Sequence, residues 1–63
     1  MTLDDARQRI QSHIEQFGGQ AAPALDLVIR EVRSSLGHEA ANELIDEYDL
    51  ELRYNIEPTE FDS

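Results

Sequence analysis

The chain has 63 residues, no cysteine and a formal net charge of -9, so it forms one small domain without disulfide bonds, and a chain this short buries only about 60% of the surface that it exposes when unfolded. No apolar run reaches the ~18 residues needed to cross a bilayer, and the N-terminal segment is acidic where a signal peptide would be basic, so we expect a cytoplasmic protein that is neither secreted nor anchored in a membrane. The excess of negative charge should repel phosphate backbones and anionic lipids, which argues against direct binding of nucleic acid or membranes.

The first predicted helix covers residues 3–17. Thr2 is a suitable N-cap, and Asp5 stands three residues later, where a capping box places an acid. Gly18 and Gly19 then end the helix, because glycine readily adopts the left-handed conformation of a helix C-cap. Apolar residues recur between these signals at spacings of three and four, typical of one helix face: Leu3, Ala6, Ile10, Ile14 and Phe17.

The second predicted helix covers residues 23–36. Pro23 suits its first turn, where the missing N–H costs nothing, and Gly37 ends it. At about 100° per residue, Leu27 falls on the side opposite the apolar stripe, so we expect it to be exposed. The stripe itself consists of Leu25, Val28, Ile29, Val32 and Leu36.

The third predicted helix covers residues 39–54. Asn55 can act as its left-handed C-cap and Pro58 as a stop. However, Leu50, Leu52 and the apolar positions after them alternate, so a break near Asp49 with residues 50–56 folding back over the core is an alternative to a continuous helix. Its apolar face is predicted to contain Ala40, Ala41, Leu44, Ile45, Tyr48 and Leu52. The sequence therefore predicts an all-α, three-helix domain over residues 1–56 and a flexible acidic tail over residues 57–63.

The sequence contains no pattern that indicates catalysis or metal binding. His13 and His38 are 25 positions apart and have no partner at the spacing of a His-x-x-x-His or Glu-x-x-His pair. Ser34 and Ser35 have no orienting carboxylate or oxyanion loop, and we expect little room for a concave pocket of the usual ~300 Å³ or more. We therefore predict that the protein is not an enzyme and binds neither a metal nor another cofactor.

The negative charge is concentrated in the last 25 residues. Residues 1–38 contain five acids and four arginines, whereas residues 39–63 contain nine acids and only Arg53. In a continuous third helix, acids at a strict four-residue spacing would form a row opposite the apolar face, each ~6 Å from the next. The predicted partner-binding residues are this row and the two aspartates beside it: Glu39, Glu43, Asp46, Glu47, Asp49 and Glu51.

The function predicted from this asymmetry is a small interaction or regulatory module that docks a basic protein surface through the acidic face of its third helix. Leu27, Leu50 and Phe61 are the candidate apolar anchors for that partner. One alternative is a structural homodimer without a charge-mediated partner, and another is a nucleic-acid mimic that inhibits a DNA- or RNA-binding protein. A homodimer could also pair the acidic half of one copy with the arginines of the other, namely Arg7, Arg9, Arg30 and Arg33.

Overall fold

The computed structural model describes residues 1–58, and these residues are almost entirely helical. Helix α1 spans Leu3–Phe17, and a single 3-10 turn, Gly18–Gln20, connects it to α2, which spans Ala22–Leu36. Helix α3 spans His38–Glu47, and the short helix α4 spans Leu50–Tyr54. The predicted all-α class is confirmed, and the first two helices lie within one residue of their predicted bounds.

The helix ends are fixed by the residues that the sequence indicated. The Thr2 hydroxyl accepts a hydrogen bond from the Asp5 backbone N–H at 3.1 Å, and the Asp5 carboxylate accepts one from the Thr2 N–H at 3.4 Å. This reciprocal capping box satisfies two donors that would otherwise have no partner at the start of α1. Gly18 and Gly37 end α1 and α2 with φ of 56° and 98°, values that favour glycine.

Helix α2 is the centre of the core, because it packs against both α1 and α3. Its apolar stripe is confirmed, with four of the five predicted residues buried and Leu36 partly buried. Phe17, by contrast, is 44% exposed, so its place on the apolar face of α1 was wrong. Its ring instead lies 5.9 Å from that of His13. The buried residues are Ala6, Ile10, Ala21, Leu25, Val28, Ile29, Val32, Ala41, Leu44, Ile45, Leu50 and Ile56.

The preferred prediction of one continuous helix over residues 39–54 is wrong, and the alternative break near Asp49 is what the structure contains. Helix α3 ends at Glu47, and Asp49 adopts the left-handed conformation with φ 53° and ψ 42°. A left-handed backbone costs a residue other than glycine about 1–2 kcal/mol, although aspartate and asparagine tolerate it better than most. Something must therefore offset this cost.

Burial of Leu50 and Ile56 provides the offset. In a continuous helix, Leu52 would follow Tyr48 on the apolar face and Leu50 would point to solvent. After the break, Leu50 is fully buried, Ile56 is 6% exposed and Leu52 is 87% exposed. Burial of an aliphatic side chain stabilises a fold by about 1.5–3 kcal/mol relative to its exposure, which is comparable to the cost of the left-handed residue.

Two tyrosine hydroxyls connect the C-terminal half of the domain to α1. The Tyr48 hydroxyl accepts a hydrogen bond from Gln11 Nε2 at 3.0 Å. The Tyr54 hydroxyl donates to the Gly18 carbonyl oxygen at 3.2 Å, at the end of α1. The second left-handed residue, Asn55, ends α4 as predicted, with φ 60°. Hydrogen bonds thus connect Tyr48, before α4, and Tyr54, its last residue, to the N-terminal part of the domain.

Candidate partner-binding surface

The break after α3 divides the predicted acidic row into separate groups. Glu39 and Glu43 lie on the exposed side of α3 and border a shallow depression of about 660 Å³ together with Leu36, Ala40 and Asn42. Glu51 belongs to α4 and no longer continues the row. The prediction of four glutamates in one line is therefore wrong, because it required a helix that extends through residue 51.

Glu47 faces α1 and is already paired there. Its two carboxylate oxygens lie 3.1 and 3.2 Å from Arg7 Nε, and Arg7 also reaches Asp4 at 3.4 Å. The hydrogen bonds from Arg7 to Glu47, together with the charge of that carboxylate, raise the pKa of the Arg7 guanidinium above its ordinary value. Of the six predicted site residues, Glu47 is thus the one with an internal ion-pair partner within residues 1–58.

The remaining three acids, Asp46, Asp49 and Glu51, gather around a groove between α3 and α4. This groove has a volume of about 450 Å³, so the expectation that so small a chain has little room for a pocket was wrong. Such a volume lies within the range of roughly 300–1,000 Å³ that small-ligand sites occupy. The other residues that line it are apolar or uncharged: Asn42, Ile45, Leu52, Asn55 and Pro58.

The four arginines of the N-terminal half are engaged within the chain. Besides the pair that Arg7 forms, Arg9 lies 2.8 Å from Glu31, and Arg30 lies 3.0 Å from Asp26 one turn away. Arg33 donates to the Glu57 carbonyl oxygen at 3.5 Å. The ion pairs of Arg7, Arg9 and Arg30 neutralise acids on α1 and α2 and one acid at the end of α3. Within the described part of the chain, none of them reaches the carboxylates around the groove.

The candidate apolar anchors fall in three different places. Leu27 is 60% exposed, as predicted. Leu50 was a wrong choice, because its side chain is fully buried in the core. Phe61 lies outside the described residues. Sequence reasoning missed Leu52, which is the most exposed large apolar side chain among residues 1–58. The alternation from Leu50 onward places Leu52 on the same side as the buried Leu50, so the pattern could not indicate this exposure.

The two histidines lie apart in the fold. His13 is on α1, with its Nδ1 atom buried and without a hydrogen-bond partner among the described residues, and His38 is the first residue of α3. Within residues 1–58, no three histidine, aspartate or glutamate side chains are grouped so that they could hold a metal ion. In the same range, no helix has the length and apolar character required to span a membrane.

The described residues therefore define a small all-α domain with an acidic groove at one edge. The chain was compared with protein-family models, with curated proteins and with solved structures, and none of them matches it. The geometry and charge of this surface are therefore the basis for inferring a function.

Proposed function

We propose that this protein is a small interaction or regulatory module that docks a basic surface of another protein. The docking surface, here called the acidic edge, consists of five residues along the outer side of α3 and the start of α4: Glu39, Glu43, Asp46, Asp49 and Glu51. Glu47, which was part of the original prediction, is left out because it is paired with Arg7. We include a cytoplasmic location in this proposal, since a chain without cysteine suits a reducing compartment.

One observation carries the proposal: the five carboxylates of the acidic edge are exposed and form no ion pair within residues 1–58. Like charges at neighbouring positions on a helix cost a few tenths of a kcal/mol each. Arg7, Arg9 and Arg30 pair with other acids, and Arg53 lies over the Tyr54 ring. The fold therefore leaves this repulsion uncompensated. A basic partner would compensate it, and complementary charges would also accelerate the encounter and disfavour wrong partners.

The ion pairs that the arginines form within the chain argue against the charge-paired homodimer. Such a dimer would have to break contacts that Arg7, Arg9 and Arg30 already form in each copy. It would gain little in exchange, because exposed ion pairs are generally worth about 0–1 kcal/mol. A basic partner protein brings its own cations and avoids this exchange, which favours it over a second copy.

A pull-down from a lysate of the source organism at low salt tests the proposal. The wild type is compared with Glu39→Gln/Glu43→Gln and with a control of equal charge on α1, Asp4→Asn/Glu15→Gln. We expect a basic protein that is retained by the wild type and by the α1 control and lost from the α3 variant, and its recovery should fall as salt is raised. Equal recovery with all three proteins would refute the proposal. Equal loss from both variants would indicate a nonspecific effect of net charge.

Dilution tests the homodimer alternative. If the folded protein were a dimer, its melting temperature would fall as the protein is diluted, because dissociation would be coupled to unfolding. We expect a constant melting temperature over a hundredfold dilution. Competition of the captured partner by added nucleic acid would identify the module as a nucleic-acid mimic.

A further inference from the structure

The groove between α3 and α4 combines an apolar contact with a charged border. Leu52 contributes aliphatic surface to its lining, and Pro58 lines it as well, whereas the core residue Ile45 borders it with only 3% of its surface exposed. Asp46, Asp49 and Glu51 line the same cavity. Water solvates an exposed carboxylate favourably, so its exposure needs no explanation. A leucine that is 87% exposed, by contrast, contributes nothing to the core. Its position next to a groove therefore distinguishes Leu52 from an ordinary surface leucine.

We propose that this groove binds a short basic segment of a partner protein, in which an apolar side chain packs against Leu52, beside the core residue Ile45, while arginine or lysine side chains contact the three carboxylates. The proposal rests on the proposed function and narrows it from an acidic edge to one groove. It also specifies the occupant, because a segment with only charges would leave the aliphatic lining exposed, and a segment with only apolar residues would bury carboxylates without a partner, which is costly.

Charge also argues against an occupant from this chain. Residues 59–63, which follow the groove residue Pro58 in the sequence, contain Glu60 and Asp62 and no base. That segment therefore supplies no cation for the three acids of the border. Arg53 is the single base of residues 39–63, and its guanidinium lies over the Tyr54 ring, 5.4 Å from the centroid. The cations that match this groove must therefore come from another molecule.

Three synthetic peptides of equal length provide the test, each titrated into the isotope-labelled full chain and followed by backbone amide NMR. The first contains leucines and arginines, the second has serine in place of each leucine, and the third has glutamine in place of each arginine. We expect the first peptide to bind most tightly and to shift the amides of Ile45, Leu52 and Asn55. The second and third should bind at least about tenfold more weakly, because each lacks one of the two contacts.

Two leucine variants form the matched pair. Leu52→Ala should weaken binding of the first peptide about tenfold and leave binding of the serine peptide unchanged. Leu27→Ala removes a leucine of α2 that is 60% exposed and does not line the groove. The groove inference therefore no longer counts Leu27 among the anchors, and this variant should change binding less than about twofold. Because neither leucine is buried, both variants should remain folded, which far-UV circular dichroism verifies.

The outcomes separate this inference from the proposed function. If the serine peptide binds as tightly as the leucine peptide and Leu52→Ala has no effect, docking depends on charge alone, so the groove inference fails while the proposed function stands. If neither arginine peptide binds at low salt, both fail. If Phe61→Ala shifts the amides of Ile45 and Leu52 in the free protein and tightens peptide binding, the chain's own C-terminal segment occupies the groove, and the assignment to a partner is overturned.

Discussion

The two leucines of α4 should contribute very differently to stability when each is truncated to alanine. The larger loss should come from Leu50, whereas a continuous third helix predicts that it comes from Leu52. Leu50 is fully buried and Leu52 is 87% exposed. Leu50→Ala removes a core side chain and leaves a cavity, so we expect a loss of about 2–5 kcal/mol. Leu52→Ala changes a solvated surface, and its effect should stay within about 0.5 kcal/mol. In a continuous helix, Leu52 would be the core residue and these magnitudes would be exchanged.

The size of the domain makes this difference easy to measure. At about 0.05–0.15 kcal/mol per residue, a chain of 63 residues has a total stability of roughly 3–9 kcal/mol, so Leu50→Ala removes a large share of it. Urea unfolding followed by circular dichroism gives the free energy of unfolding, and the melting temperature should fall by about 4–8 °C for each kcal/mol lost. A loss for Leu52→Ala equal to or larger than that for Leu50→Ala would refute the assignment of the break at Asp49. Leu27→Ala is the control for truncation of an exposed leucine.

Three further predictions concern the helix ends and the net charge. Thr2→Ala should reduce the free energy of unfolding by about 1 kcal/mol in chemical denaturation, because it removes the hydroxyl that caps α1, whereas Thr2→Ser should restore most of that loss. Asp49→Gly should leave the free energy of unfolding unchanged or raise it by up to about 1 kcal/mol, because glycine adopts φ 53° without strain. Asp49→Val should lower it by about 1 kcal/mol or more. A Val variant as stable as wild type would contradict the left-handed backbone. Raising the ionic strength from about 0.01 to 0.15 M shortens the Debye length from roughly 30 to 8 Å. Because this screens the self-repulsion of a protein with net charge -9, the melting temperature should rise by a few degrees. A fall would show that the ion pairs of the protein outweigh its self-repulsion.

The first two helices could be predicted closely because several signals agree at each of their ends. A capping box, a glycine stop and a three-to-four apolar spacing all indicate the same bounds for α1, and Pro23 and Gly37 do so for α2. Each signal is local, so it can be evaluated without knowledge of the neighbouring helices. Phe17 was misplaced because, at the end of an apolar stripe, exposure depends on which helix lies opposite.

The third helix could not be predicted in the same way, because its break depends on tertiary burial. Both a continuous helix and a break near Asp49 satisfy the local pattern, and Asn55 serves as a left-handed cap in either case. The choice depends on whether Leu50 and Ile56 find space against the core that α1, α2 and α3 create. That space is a property of the packed domain, so no periodicity over residues 39–56 reveals it. The charge of the candidate surface followed from composition alone, whereas its division into separate groups did not.

A single backbone conformation links the core of this domain to its candidate site. Because Asp49 is left-handed, the chain turns so that Leu50 enters the core. The same turn leaves Leu52 exposed and brings Glu51 to the groove that Asp46 borders. In a continuous helix, Leu52 would be buried and the glutamates would form a simple charged row, which is a common solvated surface. The burial that stabilises the fold therefore also creates the combination of an exposed leucine and uncompensated carboxylates on which the proposed recognition depends.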